Sequence, residues 1–151
     1  MPTIPPYEVA ETIRRSKSLY LRAADTKQWD LFSTILHPSL TASLHKPDGS
    51  LDSFNGREFR FSSREDYVSV LRKRYADIRF IHVGGPGELE MISEDEVAAV
   101  WAMSYSLGTP EENAGEFTEV GGGYYHEVWK KLDGKWVIAS LKFLSTFRRA
   151  L

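Results

Sequence analysis

The chain has 151 residues, a net charge of −2, a hydrophobic fraction of 42% and no cysteine. This length suits one domain with a substantial core, and the near-neutral charge leaves no electrostatic footprint for nucleic acid. The lack of cysteine excludes disulfides, thiolate nucleophiles, cysteine-based zinc sites and iron–sulfur clusters, and it suits a reducing compartment.

Met1-Pro2-Thr3-Ile4-Pro5-Pro6 shows no basic region followed by an apolar run, so no signal peptide is expected. No apolar stretch approaches the ~20 residues of a membrane span. A soluble, cytoplasmic protein is the expectation. Pro5-Pro6 precede a first helix over 7–25, with Val9, Ile13, Tyr20 and Ala24 at helical spacing. A short second helix is predicted over 27–36, where Trp29, Phe32, Ile35 and Leu36 are apolar and Pro38 blocks continuation. Residues 40–45 read as a strand, Pro47-Asp48-Gly49-Ser50 as a turn, and 51–62 as an irregular stretch carrying Phe54, Phe59 and Phe61. Ser63 caps a third helix with Asp66 at the capping-box position, and Tyr67, Val68, Leu71 and Tyr75 form its apolar stripe. The basic runs Arg14-Arg15 and Arg72-Lys73-Arg74 read as solvated helix faces.

The second half reads as a sheet, with strands near 79–83, 88–92, 97–107, 122–132 and 136–147. Gly84-Gly85-Pro86-Gly87 is a turn, and Asp133-Gly134 is a two-residue hairpin signal. Along 97–107 both alternating faces are apolar as far as Ser104, so the sheet needs cover on both sides. The helices cover one side, and another subunit is expected on the other. Residues 108–120 read as an acidic, mobile loop. Gly121-Gly122-Gly123 reads as a bulge, as room beside a pocket, or equally as a hinge. The expected fold is α+β, a cone-shaped barrel of curved mixed or antiparallel sheet wrapped around three N-terminal helices, in one domain over 1–151.

Few residues here can do chemistry. Asp25 closes the first helix and His82 lies on a strand; a carboxylate that meets an imidazole holds one tautomer and stabilises the imidazolium. That pair would be a metal-free general base. His37, His45, His82 and His126 show no ligand spacing, so no metal is expected. Alternation places Tyr125, Glu127 and Trp129 opposite Tyr124, His126 and Val128. Trp101, Met103, Tyr105, Tyr125 and Phe143 are candidates to line an apolar pocket, which would suit a flat, aromatic or polyketide-like molecule. Arg148 and Arg149 are either solvated or placed to bind an acidic group at the pocket edge.

Several segments together carry a family resemblance: Asp25-Thr26-Lys27-Gln28-Trp29-Asp30, Pro38-Ser39-Leu40, His82 before Gly84-Gly85, Ser93-Glu94-Asp95-Glu96-Val97, and Trp129 through Trp136. Their order and spacing resemble the scytalone dehydratases and the wider SnoaL-like proteins of the nuclear-transport-factor-2-like fold. The resemblance implies a cofactor-free dehydratase in which His82 removes a proton next to a carbonyl, then protonates the departing hydroxyl, with Asp25 as its orienter. Positions where that family carries tyrosine, tyrosine, histidine and asparagine are Ala24, Leu44, Leu107 and Tyr125 here. Tyr20, five residues before Asp25, resembles the Tyr–Asp spacing of the bile-acid dehydratases and would donate to the substrate carbonyl. Tyr20 also stands at core spacing from Ile13 and Ala24. Trp29 and Leu44 complete the expected lining.

Three functions follow as expectations. The first is a lyase that dehydrates a small polyketide-like metabolite. The second is a cyclase, isomerase or pericyclic catalyst, where shape counts for more than proton transfer. The third is a non-catalytic binding protein. The expected partners are a small-molecule substrate and copies of the same chain, as a dimer or trimer, with no nucleic acid and no membrane.

Overall fold

The computed structural model describes residues 1–108 and 118–151. The expected acidic loop falls largely on 109–117 and so lies outside the described residues. The first helix, α1 (Tyr7–Asp25), buries Ala10, Ile13, Lys17, Tyr20, Leu21, Ala23 and Ala24, a stripe at three- and four-residue spacing. Its end is a Schellman arrangement: Lys27 N–H donates to Ala24 O and Gln28 N–H to Ala23 O. Lys27 takes the left-handed φ of 57° that this motif requires. The short second helix expected over 27–36 is a 3-10 helix, Trp29–Thr34.

Strand β1 (Leu36–His45) follows, then a two-residue hairpin of β2 (Ser53–Phe54) and β3 (Arg57–Glu58), then β4 (Arg60–Phe61). The hairpin lies in the stretch read as irregular. Asn55-Gly56 forms its turn with both φ angles positive, as a primed turn requires. The helix α2 (Arg64–Arg74) starts where Ser63 Oγ accepts from Asp66 N–H at 3.1 Å. Five long strands complete the chain: β5 (Arg79–Gly84), β6 (Glu88–Ser93), β7 (Glu96–Gly108), β8 (Glu119–Leu132) and β9 (Lys135–Ala150).

The main sheet runs β4-β1-β9-β8-β7-β5, with β6 also paired to β7. β1 and β9 are parallel, and the other described pairings are antiparallel. The sheet is strongly curved and does not close, which corrects the expected barrel. α1 packs against the edge strand β5, and α2 against β1, next to the short edge strand β4. Inner-face side chains Val97, Ala99, Trp101 and Met103 of β7 meet Tyr125 and Trp129 of β8 in the core. Among the described residues no helix is long and apolar enough to cross a membrane.

The glycine triplet is a close-packing device rather than a hinge. The β8–β9 register shifts between Gly122 and Gly123, and a Cβ on Gly123 would stand 2.1 Å from the Leu144 carbonyl oxygen. The neighbour is backbone and cannot step aside. Gly123→Ala is therefore expected to destabilise the fold by roughly 2–3 kcal/mol, seen as a lower midpoint in urea unfolding.

Candidate active site

Asp25 is the last residue of α1, and the Schellman end aims it at β5. The Lys27 ammonium fixes that approach, donating to the carbonyls of Tyr75 and Ile78 on the connection into β5. β5 is a sheet edge, so its outward N–H groups are not all spent on a ladder. Asp25 uses one of them: its Oδ2 accepts from the His82 backbone N–H at 3.0 Å. Its Oδ1 lies 2.6 Å from His82 Nδ1. With Nδ1 donating to a carboxylate, Nε2 is the basic nitrogen of the ring. The side chains are 15% and 17% exposed, enough burial to keep the pair dry and enough opening for a ligand to reach it.

His82 borders a cavity of about 110 Å³ between α1, α2 and the sheet. Its walls are mostly apolar and aromatic, with Trp29, Leu44, Phe59, Met103 and Phe143 among them. Ala24, Leu107 and Tyr125, where the resembling family carries polar groups, also line it, as does Leu44. At its polar points stand His45, Asp52, Arg74, Glu119 and Arg148. Arg74, read as part of a solvated run, lies instead over the rings of Phe54 and Tyr75 at the cavity border.

Tyr20 reaches the cavity with its hydroxyl 2.5 Å from that of Tyr67 on α2. Burial pushes both phenols well above their ordinary range, so both keep their protons. In such a pair one hydroxyl donates to the other, and the second proton remains to be offered elsewhere. The sequence pattern places Tyr67 only in an apolar stripe; a tyrosine buried in such a stripe needs a partner for its hydroxyl, and that need is the signal for its role.

The structure places Tyr20, Trp29, Leu44, His82, Met103, Tyr105, Tyr125 and Phe143 around one cavity. Trp101 stands apart, bordering a separate cleft with Lys17, Leu21 and Gly85. Its indole N–H donates to Glu127 Oε1 at 2.7 Å, which turns the ring into the core. Glu127 also accepts from Trp129 Nε1 at 3.1 Å and from Lys17 Nζ at 2.5 Å. The Lys17 ammonium lies 3.4 Å from the Tyr125 ring centre and 4.3 Å from that of Tyr20. Burial pulls the Lys17 pKa down, against the opposing pull of Glu127. Glu127 shares the inward alternation of Tyr125 and Trp129, so its burial could be read from the strand; the helical Lys17 that neutralises it could not.

Breaking one half of this pair strands the other. Lys17→Met is expected to cost roughly 3–5 kcal/mol in urea unfolding, because a buried carboxylate loses its counter-charge. Adding Glu127→Gln is expected to recover part of the loss, since the amide oxygen still accepts from both indoles.

A family model described as a SnoaL-like domain matches residues 7–142. The chain is 41% identical over 135 residues to a protein named probable cyclase FGR4 from Gibberella zeae, covering 89% of each. Among solved structures it resembles a hexachlorocyclohexane dehydrochlorinase, LinA type 2, with a TM-score of 0.77 and 16% identity over 95% of this chain and 89% of that one. It also resembles a protein titled putative scytalone dehydratase from Novosphingobium aromaticivorans DSM 12444, with a TM-score of 0.75 and 16% identity over 93% and 86%. At such identities these two likenesses speak for the fold.

Proposed function

Because this chain belongs to the SnoaL-like family, we propose that it is a small-molecule-converting enzyme, and specifically a cofactor-free lyase that dehydrates a polyketide-like metabolite. The observation that carries the reading is the Asp25–His82 clasp at an apolar, aromatic cavity. Asp25 stabilises the imidazolium that forms when Nε2 takes a proton from the carbon next to a substrate carbonyl. The electron pair moves toward the carbonyl oxygen, where the Tyr20 hydroxyl, backed by Tyr67, offers a hydrogen bond to the developing enolate. The imidazolium then gives its proton to the hydroxyl leaving from the adjacent carbon, and water departs. His82 serves both steps from one face, so no second base is required.

A cyclase reading is favoured by the relative named probable cyclase and by Ala24, Leu44 and Leu107, apolar side chains on the cavity where the resembling family carries polar ones. There, positioning of a flexible chain supplies most of the acceleration.

Incubation with a panel of aromatic β-hydroxy ketones, followed by the absorbance of the conjugated enone, separates the two. For a lyase, His82→Ala is expected to lower turnover by roughly 10²–10⁴-fold, Asp25→Asn by about 10²-fold or more, and Tyr20→Phe by about 10–10²-fold. Ring-closed product formed at an unchanged rate by His82→Ala assigns the shape-driven cyclase instead. Ligand uptake with no conversion assigns a binding protein.

We also propose self-association through the outer sheet face. Val83, Ser104, Gly122 and Phe147 are in cross-strand register on β5, β7, β8 and β9, and Val83, Phe147 and nearby Ile81 and Tyr124 are exposed. Light scattering is expected to give the mass of a dimer or trimer, and Val83→Lys with Tyr124→Lys to give that of one chain.

A further inference from the structure

Tyr105 and Glu119 form a second polar pair on the cavity wall, across the β5–β7 register from the His82–Asp25 clasp. Their juxtaposition follows from strand register. On β7 and β8, Tyr105 faces Gly121 and Leu107 faces Glu119. Gly121 offers no side chain: a Cβ there would stand 2.6 Å from the Tyr105 hydroxyl oxygen and 2.8 Å from Cζ. The phenol therefore lies across the glycine and reaches diagonally to Glu119, two residues along. Tyr105 Oη donates to Glu119 Oε2 at 2.7 Å, and both residues border the cavity.

The direction of that bond decides what the pair can recognise. A phenol has one proton, and Tyr105 spends it on Glu119, so its oxygen is left with acceptor capacity alone. Glu119 is likewise an acceptor. Burial and the carboxylate both push the Tyr105 phenol well above its ordinary range, with the Arg148 charge opposing them. Arg148 is itself engaged, with Nη1 donating to Asp52 Oδ2 at 2.9 Å. Arg74, Tyr75 and His82 are further titratable groups that border the cavity, with the His82 ring centroid 6.2 Å from that of Tyr105.

We propose that Tyr105 and Glu119 form an acceptor-only subsite for a substrate hydroxyl, so that the substrate is a hydroxylated carbonyl compound bound with its O–H on Tyr105 and its carbonyl toward Tyr20. This rests on the reading of the cavity as the substrate site. The acidic mate Glu119 makes the subsite prefer a neutral hydroxyl and disfavour the corresponding oxyanion. Tyr105 and Glu119 are specificity-determining residues beside the clasp: the Tyr105 ring centroid lies 6.2 Å from that of His82, and its hydroxyl leans away over Gly121 to Glu119.

The probe is 4-nitrophenol, a small aromatic hydroxyl compound whose neutral and ionised forms absorb differently and which titrates near neutral pH. Titrated into the wild-type protein at pH 7, it is expected to bind in the neutral form. Glu119→Gln removes the negative charge and lets the Tyr105 hydroxyl turn toward the ligand, so the ionised fraction of bound probe is expected to rise by roughly threefold or more. Tyr105→Phe is expected to weaken uptake of the probe, and thermal unfolding of each variant checks that it is folded. His82→Ala is expected to leave the neutral preference unchanged. Three outcomes overturn the proposal: no uptake by wild type, an ionised fraction that Glu119→Gln does not move, or a preference that disappears in His82→Ala. The last would place the hydroxyl at the catalytic base and leave the lyase reading standing. A neutral preference governed by Glu119, together with no elimination activity, would instead keep the subsite and remove the lyase.

Discussion

The Asp25 carboxylate holds two structures in register at once. One oxygen takes a main-chain N–H of the edge strand β5 and the other takes the ring of the same residue, His82. This double use ties the rotation of the imidazole to the position of its own backbone. It needs a helix that stops at the right residue, which the left-handed Lys27 provides, and a strand with an unpaired N–H, which only an edge supplies. The open sheet is thus a requirement of the site: a closed barrel would have spent that N–H on a neighbouring strand.

Around this clasp the interior sorts its polar groups into separate, satisfied systems. Among the described residues no buried side-chain nitrogen or oxygen lacks a partner. Lys17 and Glu127 neutralise each other beneath the aromatic rings, with two indoles completing the carboxylate's bonds. Tyr20 and Tyr67 pair by their hydroxyls. Tyr105 gives its proton to Glu119. The cavity's polar groups therefore differ in kind: a shared phenol proton at Tyr20 and Tyr67, and at Tyr105 and Glu119 a phenol oxygen and a carboxylate that both accept, with Arg148 held by Asp52. A ligand that carries both a carbonyl and a hydroxyl can satisfy both pairs in one orientation.

Much of this was legible in local sequence. The helical spacing from Tyr7 to Asp25 matches α1 at both ends, and Ser63 caps α2 through Asp66 as its capping-box pattern implies. Asp133-Gly134 turns β8 into β9 with both φ angles positive. Where the structure departs from the sequence pattern, the local signal is too short or the outcome depends on partners distant in the chain. Asn55-Gly56 is a strong hairpin signal, but its strands are two residues each and too short to show alternation. The odd-numbered residues of β7 all point inward, and alternation cannot tell which of them meet the cavity. Trp101 turns to Glu127, while Met103 and Tyr105 line the cavity.

Alternation, helical spacing, caps and turn residues act within a few positions, so the chain by itself determined its elements, their inner faces and the presence of one acid and one imidazole suited to each other. Distances between those groups depend on strand curvature, register shifts and the packing angle of α1, which arise only when the whole sheet assembles. Tertiary structure alone decided that Asp25 clasps His82 by both oxygens, that Lys17 finds Glu127 across 110 residues of sequence, and that Tyr105 leans over a glycine to a carboxylate.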